Sequence, residues 1–317
     1  MKNFFQKPFA WAIIAATILS ASSVTVLLDT FVIQRVGDSG EVIVSIPTSS
    51  SSESSSQSES SSSSSSSAIV PTFTDNSYVD EHMSLTITTL RRHNTTVYVA
   101  DIQVDDPLYL KTALAHDTYG RNITQKTSSM ATNHGAFFAI NGDYYGARSD
   151  GFVVRNGTLY RSTKNTSASA QALIMNTEGD LLVMDESQTS RQELIDAHPL
   201  HAWSFGPALI TNGTIVVNAS SEVNQSSSSN PRTAIGQIDV GHYVCIVSDG
   251  RLTNEAGLSL LELAEEFDAL GCTQAYNFDG GGSSTMWFHG RIINQPVNSG
   301  STISERSVSD CVYLGYA

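Results

Sequence analysis

The sequence has little positive charge for its length. Among 317 residues there are 17 Lys and Arg against 31 Asp and Glu, which gives a formal net charge of -14 at pH 7. The phosphates of nucleic acids and anionic membrane surfaces repel a chain of this sign. Nucleic acid is therefore excluded as a polyelectrolyte partner, and an anion would have to bind in a local pocket of cationic side chains.

Cysteine is also scarce. The chain has three cysteines, Cys245, Cys272 and Cys311, which are too few for a disulfide-built scaffold and odd in number. Each lies in or beside an apolar run, so we expect all three to be buried small hydrophobic side chains. A single disulfide bridge between two of them is also compatible with the sequence, which does not identify the pair.

Spacings typical of metal sites are lacking as well. The histidines show no His-x-x-x-His pattern, and no cysteine pairs supply a zinc site. The sequence therefore predicts no metal and no other cofactor. A hard cation such as calcium or magnesium on Asp143, Asp249 or Asp279 stays open, although no contiguous acidic loop argues for one.

A long uncharged segment occurs at the N-terminus. Residues 8–28 carry no charge and follow Lys2 and Lys7, so residues 1–33 are predicted to form a signal anchor or transmembrane segment. Because both lysines lie on the short N-terminal side of this segment, the chain that follows it is predicted to lie outside the cytoplasm. The expected location is the cell membrane, single-pass with an extracellular domain, or secreted if the small residues near 19–23 are a cleavage site.

The next segment, residues 34–70, is predicted to be a disordered linker. Residues 48–67 are almost pure serine, with Glu53 and Glu59 as the only charges. Such a composition buries no apolar surface and cannot offset the entropy of ordering. We expect it to hold a domain away from a membrane.

Residues 71–317 are predicted to form one α+β domain with a mixed, largely antiparallel β-sheet and few helices. Many short segments alternate apolar and polar residues, and some are joined by hairpin turns such as Asn156-Gly157. Helices are expected at 108–115, at 191–197, and between the cap Ser259 and the stop Gly271. Residues 220–230 are expected to be a mobile surface loop.

The strongest candidate for a site is a triglycine stretch. The apolar segment 274–278 reads as a strand that delivers Asp279 into Gly280, Gly281 and Gly282, followed by Ser283. Three residues without Cβ atoms can present successive N–H groups to an anion, with the carboxylate beside it. The alternative is a glycine-rich turn between buried strands, since this is neither a Walker nor a dinucleotide motif.

Four further motifs accompany this stretch in a fixed order. The five are Asn141-Gly142-Asp143-Tyr144-Tyr145, Phe205-Gly206-Pro207, Pro231-Arg232-Thr233-Ala234-Ile235-Gly236, Asp249-Gly250-Arg251 and Asn277-Phe278-Asp279-Gly280-Gly281-Gly282-Ser283-Ser284. Together they resemble the phosphodiester glycosidase family over about residues 84–315. The resemblance implies hydrolysis of a sugar-1-phosphodiester, such as an alpha-N-acetylglucosaminyl one, in a phosphorylated glycan or cell-surface polysaccharide, including exopolysaccharide.

Such chemistry needs a phosphate seat, a carboxylate beside the anomeric carbon and groups that hold the sugar. For the seat we nominate Arg232, Arg251 and the N–H groups of the three glycines, because guanidinium groups match phosphate oxygens. Three carboxylates that each follow an apolar strand are nominated as catalytic: Asp279 and Asp143 first, then Asp249. Asn141 would orient either a sugar hydroxyl or Asp143, and Ser283 would donate a further hydrogen bond.

Each nomination has a structural alternative. Asp143 and Asp249 adjoin glycines and fit turn chemistry, and either arginine fits a local ion pair. At the level of function, the alternatives are a non-catalytic module that binds anionic glycans and a metal-dependent phosphodiesterase that cleaves P–O bonds. The sequence shows no feature that indicates an oligomeric state.

Overall fold

The structure is a computed structural model that describes residues 9–46, 70–167, 169–221, 229–300 and 302–316. The predicted disordered run at 48–67 lies outside the described residues, as do residues 222–228 of the predicted mobile loop.

Four α-helices are present in the described parts of the chain. They are α1 (Ala10–Phe31), α2 (Thr127–Asn133), α3 (Arg191–Asp196) and α4 (Leu260–Ala269). The helices predicted at 191–197 and after Ser259 are confirmed: Ser259 accepts from the Glu262 N–H, the Glu262 carboxylate accepts from the Ser259 N–H, and Gly271 follows with φ 81°. The prediction of a helix at 108–115 is wrong, because Leu110–Leu114 forms a strand that pairs with Asp310–Leu314.

The remaining structure consists mainly of short strands. They are β1 (Arg35–Val36), β2 (Glu41–Val42), β3 (Thr72–Phe73), β4 (Ser77–Val79), β5 (Met83–Arg92), β6 (Thr95–Val104), β7 (Leu110–Leu114), β8 (Gly120–Arg121), β9 (Gln125–Lys126), β10 (Phe138–Asn141), β11 (Gly151–Arg155), β12 (Thr158–Thr163), β13 (Gln171–Asn176), β14 (Leu181–Asp185), β15 (Pro199–Trp203), β16 (Ala208–Thr211), β17 (Thr214–Ile215), β18 (Thr233–Asp239), β19 (His242–Ser248), β20 (Gln274–Asn277), β21 (Met286–Phe288), β22 (Arg291–Ile292), β23 (Val297–Ser299), β24 (Thr302–Ile303), β25 (Ser307–Val308) and β26 (Asp310–Leu314).

Three larger sheets organise these strands, and the strand pairs within them are antiparallel. A nine-stranded sheet has the order β17-β16-β20-β18-β19-β6-β5-β4-β3, a five-stranded sheet β22-β21-β10-β26-β7 and a six-stranded sheet β14-β13-β15-β11-β12-β2. Two-residue and three-residue strands form the pairs β1-β8, β23-β24 and β25-β9. This confirms the predicted α+β class with largely antiparallel sheets.

The main core lies where the inner faces of the three sheets meet. Ile102 of the nine-stranded sheet, Phe138 of the five-stranded sheet and Trp203 of the six-stranded sheet belong to one buried cluster. On the other face of the nine-stranded sheet, α4 packs through Leu263 and Phe267. Each such side chain stabilises the fold by about 1.5–3 kcal/mol through burial. The three cysteines are free and buried, as predicted.

The first residues of the predicted linker are part of the fold. Within 34–46, β1 pairs with β8 and β2 pairs with β12. The main-chain N–H groups of Ile43 and Val44 both donate to the Gly157 carbonyl oxygen, at 2.9 and 3.1 Å. The docked segment thus precedes the serine-rich run in sequence and differs from the disordered linker that was expected there.

Candidate active site

The predicted site residue Asp279 lies in the loop that leaves β20, at the junction of the nine-stranded and five-stranded sheets. Its carboxylate accepts a 2.5 Å hydrogen bond from the Ser283 hydroxyl, which a short 3-10 helix over Gly281–Ser283 holds in place. Burial raises the pKa of the Asp279 carboxyl, and the Ser283 hydrogen bond and the Arg306 charge oppose that rise. Asp279 is therefore a carboxyl whose ionisation depends on its neighbours.

Two guanidinium groups pack directly on the triglycine loop. A Cβ atom at Gly281 would lie 2.7 Å from Nη2 of Arg251, and one at Gly282 would lie 2.5 Å from Nη2 of Arg306. Arg251 donates to the Asn230 side-chain oxygen, and Arg306 donates to the Asn298 side-chain oxygen at 3.0 Å. A side chain at either position would push a guanidinium away from the loop, and Gly281, with φ 60°, also has a backbone conformation that favours glycine.

The glycine N–H groups are used differently from the predicted anion nest. The Gly281 N–H donates to the Pro231 carbonyl oxygen at 2.8 Å, and the Gly280 N–H donates a hydrogen bond to the Asp279 carboxylate. Two of the three nominated N–H groups are thus engaged within the protein. In this structure the glycines chiefly allow arginine side chains to approach the loop.

Arg232 lies on the same side of the molecule as Asp279, as the phosphate-seat hypothesis requires. The Pro231–Gly281 hydrogen bond joins the two loops, and the Arg232 side chain runs behind Gly280 to donate from Nε to the Leu258 carbonyl oxygen at 2.9 Å. Burial, and then the charge of Arg251, lower the pKa of Arg232 to about 10. It is still a cation at neutral pH.

Asn141 connects the two sheets at this point. Its amide nitrogen donates to the Asp279 carbonyl oxygen at 2.7 Å and to the Gly142 carbonyl oxygen at 3.2 Å. Its amide oxygen accepts from the Thr233 hydroxyl and the Thr285 N–H. The side chain predicted to hold a sugar hydroxyl therefore already uses both amide donors and fixes the main chain of Asp279.

Asp143 belongs to a buried cluster with two residues that the sequence analysis did not nominate, Arg155 and Asp310. Arg155 lies between the two carboxylates, with Nη2 3.0 Å from Asp143 and Nε 2.8 Å from Asp310. Asp143 also accepts from the N–H groups of Tyr145 and Ser204. Burial, together with the nearby Asp143 charge, raises the pKa of Asp310 to about 7 against the opposing effect of Arg155.

Asp249 points elsewhere. Its carboxylate accepts from the Gln295 N–H at 2.6 Å and from the Tyr98 hydroxyl at 3.1 Å, and burial raises the pKa of this carboxyl. Asp249 therefore connects β19 to the loop before β23. The structure brings Asp279, Asp143, Ser283, Arg232 and Arg251 to one region, and Asp249 faces a different set of partners.

A cavity of about 200 Å³ opens beside the loop. It is lined by Phe31, Asn122, Thr124, Asp143, Tyr144, Ala147, Asp279, Ser283, Arg306, Ser307, Val308 and Ser309. Larger cavities of about 520 and 370 Å³ lie elsewhere, but their lining carboxylates, Asp75 and Asp106, are not buried. The smaller cavity is the better candidate because a buried carboxyl and a guanidinium face it together.

Sequence reasoning missed Arg155, Asp310 and Arg306. The first two had a usable signal, since each is a charged residue within an otherwise apolar strand, β11 or β26. Arg306 stands in a polar segment and carries no such signal. Among the described residues no group of three or more His, Cys, Asp or Glu is placed to hold a metal ion. The space between Asp143 and Asp310 is occupied by the Arg155 guanidinium.

Sequence comparisons give distant but consistent relatives. A Bacillus subtilis protein, SPbeta prophage-derived uncharacterized protein YomE, is 28% identical over 206 residues, covering 62% of this chain and 31% of that protein. Human N-acetylglucosamine-1-phosphodiester alpha-N-acetylglucosaminidase is 34% identical over 100 residues, covering 28% of this chain and 19% of the human enzyme. The chain thus spans about a third or less of the length of these relatives.

A solved structure shares the fold. The catalytic domain of zebrafish N-acetylglucosamine-1-phosphodiester alpha-N-acetylglucosaminidase, auto-inhibited by its pro-peptide, matches with a TM-score of 0.57 at 20% identity, over 74% of this chain and 83% of that one. A hypothetical protein from Synechocystis matches with a TM-score of 0.51 at 16% identity, over 74% of this chain and 62% of that one. The family model described as phosphodiester glycosidase matches residues 129–314, which hold Asp143, Arg155, Asp279, Arg306 and Asp310. More than half of the sequence is matched, and the chain belongs to the phosphodiester glycosidase family.

Proposed function

We propose that this protein hydrolyses the glycosidic bond of a sugar-1-phosphodiester, with Asp279 as the catalytic carboxylate. One observation carries the proposal: Asp279 and Arg306 line the same cavity, and Arg251 packs on the same triglycine loop. A carboxylate beside guanidinium groups fits a substrate that is anionic at the phosphate and becomes cationic at the anomeric carbon.

Arg306 and Arg251 supply the phosphate seat in this proposal. Arg251 packs against Gly281 and Arg306 packs against the adjacent Gly282. Each guanidinium is oriented by an asparagine oxygen, Asn230 for Arg251 and Asn298 for Arg306. Guanidinium groups bind phosphate oxygens in a bidentate manner. Arg232 adds positive charge from behind Gly280 without needing to contact the substrate.

Asp279 acts at the sugar. Its carboxylate stabilises the positive charge that develops at the anomeric carbon and accepts the proton of the attacking water. Ser283 holds one carboxylate oxygen and favours the ionised form. The phosphate is a good leaving group once its charge is neutralised by the arginines, so a strong general acid is not required.

Asp143 and Asp249 are assigned positioning roles. The oxygens of Asp143 contact Tyr145 N–H, Ser204 N–H and the Arg155 guanidinium, so the carboxylate fixes the chain that leaves β10. Asp249 holds the loop at Gln295. Neither carboxylate needs to contact the reacting bond.

The proposal also specifies a substrate class and a cellular location. The human relative's name specifies N-acetylglucosamine-1-phosphodiesters, and we expect the same linkage here in a phosphorylated glycan or a surface polysaccharide. Helix α1 has the length and composition of a membrane span, a property it shares with secretory signal sequences. With Lys2 and Lys7 on its short side, the domain would lie outside the cell.

The test is hydrolysis of methyl phospho-N-acetylglucosamine by the full chain in oxygen-18 water. We expect free N-acetylglucosamine and unlabelled methyl phosphate, because water attacks carbon and not phosphorus. Asp279→Asn should lose most of this activity, Arg306→Ala should reduce it to a smaller extent, and the exposed Asp268→Asn and Arg291→Ala should keep it. Labelled phosphate would indicate P–O cleavage, and saturable binding without product would indicate a binding module; either result contradicts the proposal.

A further inference from the structure

The chain that follows α1 is fixed to the domain within a few residues of the helix end. The Asn122 side chain donates to the carbonyl oxygens of Asp29 and Ile33, at 3.3 and 2.9 Å. Strand β1 then pairs with β8, and the Gly37 N–H donates to the Tyr119 carbonyl oxygen at 2.8 Å. The end of α1 is therefore held against the loop that carries Asn122.

This attachment changes the role expected of the serine-rich run. The run at 48–67 follows β1 and β2 in sequence, and both strands already pair with the domain. A spacer placed after the docked segment cannot separate α1 from the domain. The domain is thus held close to the helix end and not at the end of a long tether.

The docked end of α1 is also part of the candidate active site. Phe31, the last residue of the helix, lines the same 200 Å³ cavity as Asp279, Ser283 and Arg306. Its side chain is 68% exposed, and Tyr144, also on the lining, is 41% exposed. The cavity therefore has aromatic groups at its rim and charged groups inside.

A membrane-spanning α1 would place this rim at the level of the bilayer surface. The helix has 22 residues, long enough to cross the hydrocarbon core, and its apolar side chains are mostly exposed in the structure. Aromatic residues at the ends of membrane-spanning helices lie in the headgroup region. A cavity lined by the final helical residue then opens where lipid phosphates are found.

We propose that the protein takes its glycosyl phosphodiester from the membrane that holds α1, as a sugar joined through phosphate to a lipid alcohol. This inference rests on the proposed function and specifies its aglycone. Water adds to the anomeric carbon, the bond from that carbon to the phosphate oxygen breaks, and the lipid phosphate leaves with the bonding electron pair. The proton lost by water passes to Asp279 and then to solvent.

The arrangement of the cavity fits such a substrate. The lipid chain remains beside α1, the phosphate meets Arg306, and the sugar extends to Asp279. A soluble aglycone would gain nothing from Phe31 and Tyr144 at the rim, whereas a lipid alcohol can contact both as it leaves the bilayer surface.

The experiment uses the full chain in phosphatidylcholine–phosphatidylglycerol vesicles. Its two probes are polyprenyl phospho-N-acetylglucosamine in the same vesicles and soluble methyl phospho-N-acetylglucosamine. In one variant, about 12 Gly and Ser residues, a coil of roughly 20 Å, are inserted after Ile33. The matched control carries the same insertion after Ser60, within the serine-rich run.

We expect the wild type to prefer the lipid probe by at least tenfold in kcat/KM. The insertion after Ile33 should remove most of this preference without changing turnover of the soluble probe, and the insertion after Ser60 should change neither. Equal use of both probes, or an unchanged preference after the Ile33 insertion, would overturn the inference but leave the proposed function intact.

Two other outcomes also count against it. If the Ile33 insertion raises turnover of the soluble probe, the docked segment obstructs the cavity and does not deliver substrate. If the intact mass of the membrane-extracted chain lacks α1, the cavity has no membrane neighbour. Failure of the wild type on both probes would instead reject the proposed function itself.

Discussion

Two clusters of arginines and carboxylates lie close together in this protein, and they are built differently. In the first, which we call the closed cluster, Arg155 lies between Asp143 and Asp310, and the side chains of all three are at most 1% exposed. In the second, the open cluster, Arg251 and Arg306 pack on the triglycine loop that carries Asp279 and Ser283. Asp279, Ser283 and Arg306 of this cluster line a cavity.

The difference lies in what the guanidinium groups contact. Arg155 of the closed cluster meets a carboxylate on two sides and also donates to the carbonyl oxygens of Val154 and Ala202. The open-cluster arginines donate instead to neutral asparagine oxygens. Positive charge is thus balanced within the protein in one cluster and available to a ligand in the other, which predicts a structural role for the first and a chemical role for the second.

Replacing Arg155 should have the largest effect, and on stability. Arg155→Ala leaves two buried carboxylates without their cation, which costs about 3–5 kcal/mol of unfolding free energy. Denaturant unfolding of the full chain should show this loss, and Arg291→Ala, at an exposed arginine, should not. Unchanged stability of Arg155→Ala would remove the distinction between the clusters.

Replacing Asp279 should have the next largest effect, and on activity. Asp279→Asn removes the proton acceptor at the sugar, so we expect kcat to fall about 10²–10⁴-fold. Unfolding free energy should stay level or rise, because a carboxyl whose pKa is raised by burial is replaced by a neutral amide. A large loss of stability with little loss of activity would assign Asp279 to the structural class.

Arg306→Ala should have an intermediate effect with a recognisable pH signature. Loss of one phosphate contact is expected to raise KM and lower kcat/KM about 10–100-fold. Arg306 also lowers the pKa of Asp279, so its removal should move the acidic limb of the kcat/KM profile to higher pH. A uniform loss at every pH would mean that Arg306 does not act on Asp279.

The sequence predicted the open cluster better than the closed one, and the reason is physical. The triglycine loop is visible because close approach of side chains to the backbone requires glycine, and the order of Asp279, Ser283 and the glycines is local. The closed cluster joins β11, β26 and the loop after β10, which are 155 residues apart at its widest ion pair. No local pattern specifies that these two strands and this loop meet.

The docked segment was missed for a different reason. Residues 34–46 contribute two strands of two residues each, too short for any period-2 pattern to stand out. Their stability comes from the partner strands β8 and β12, which composition cannot identify. In contrast, α4 has an apolar face, a capping box and a glycine stop within one continuous stretch, and its prediction was correct.

The smallest effect is expected from Asp310→Asn, and it is a dependence on pH. The pKa of Asp310 is raised from its ordinary value of 3.8 to about 7 by burial and by the Asp143 charge, against the opposing charge of Arg155. The folded chain therefore binds a proton that the unfolded chain has lost, so this stabilisation is full below about pH 4 and disappears as the pH rises through 7. The wild type should lose about 2 kcal/mol relative to Asp310→Asn between pH 5 and pH 7. Thermal unfolding at intervals across this range measures the difference, with Asp268→Asn as the exposed control. A constant difference would mean that Asp310 is ionised throughout, so that Arg155 balances two full negative charges and the closed cluster carries a net negative charge.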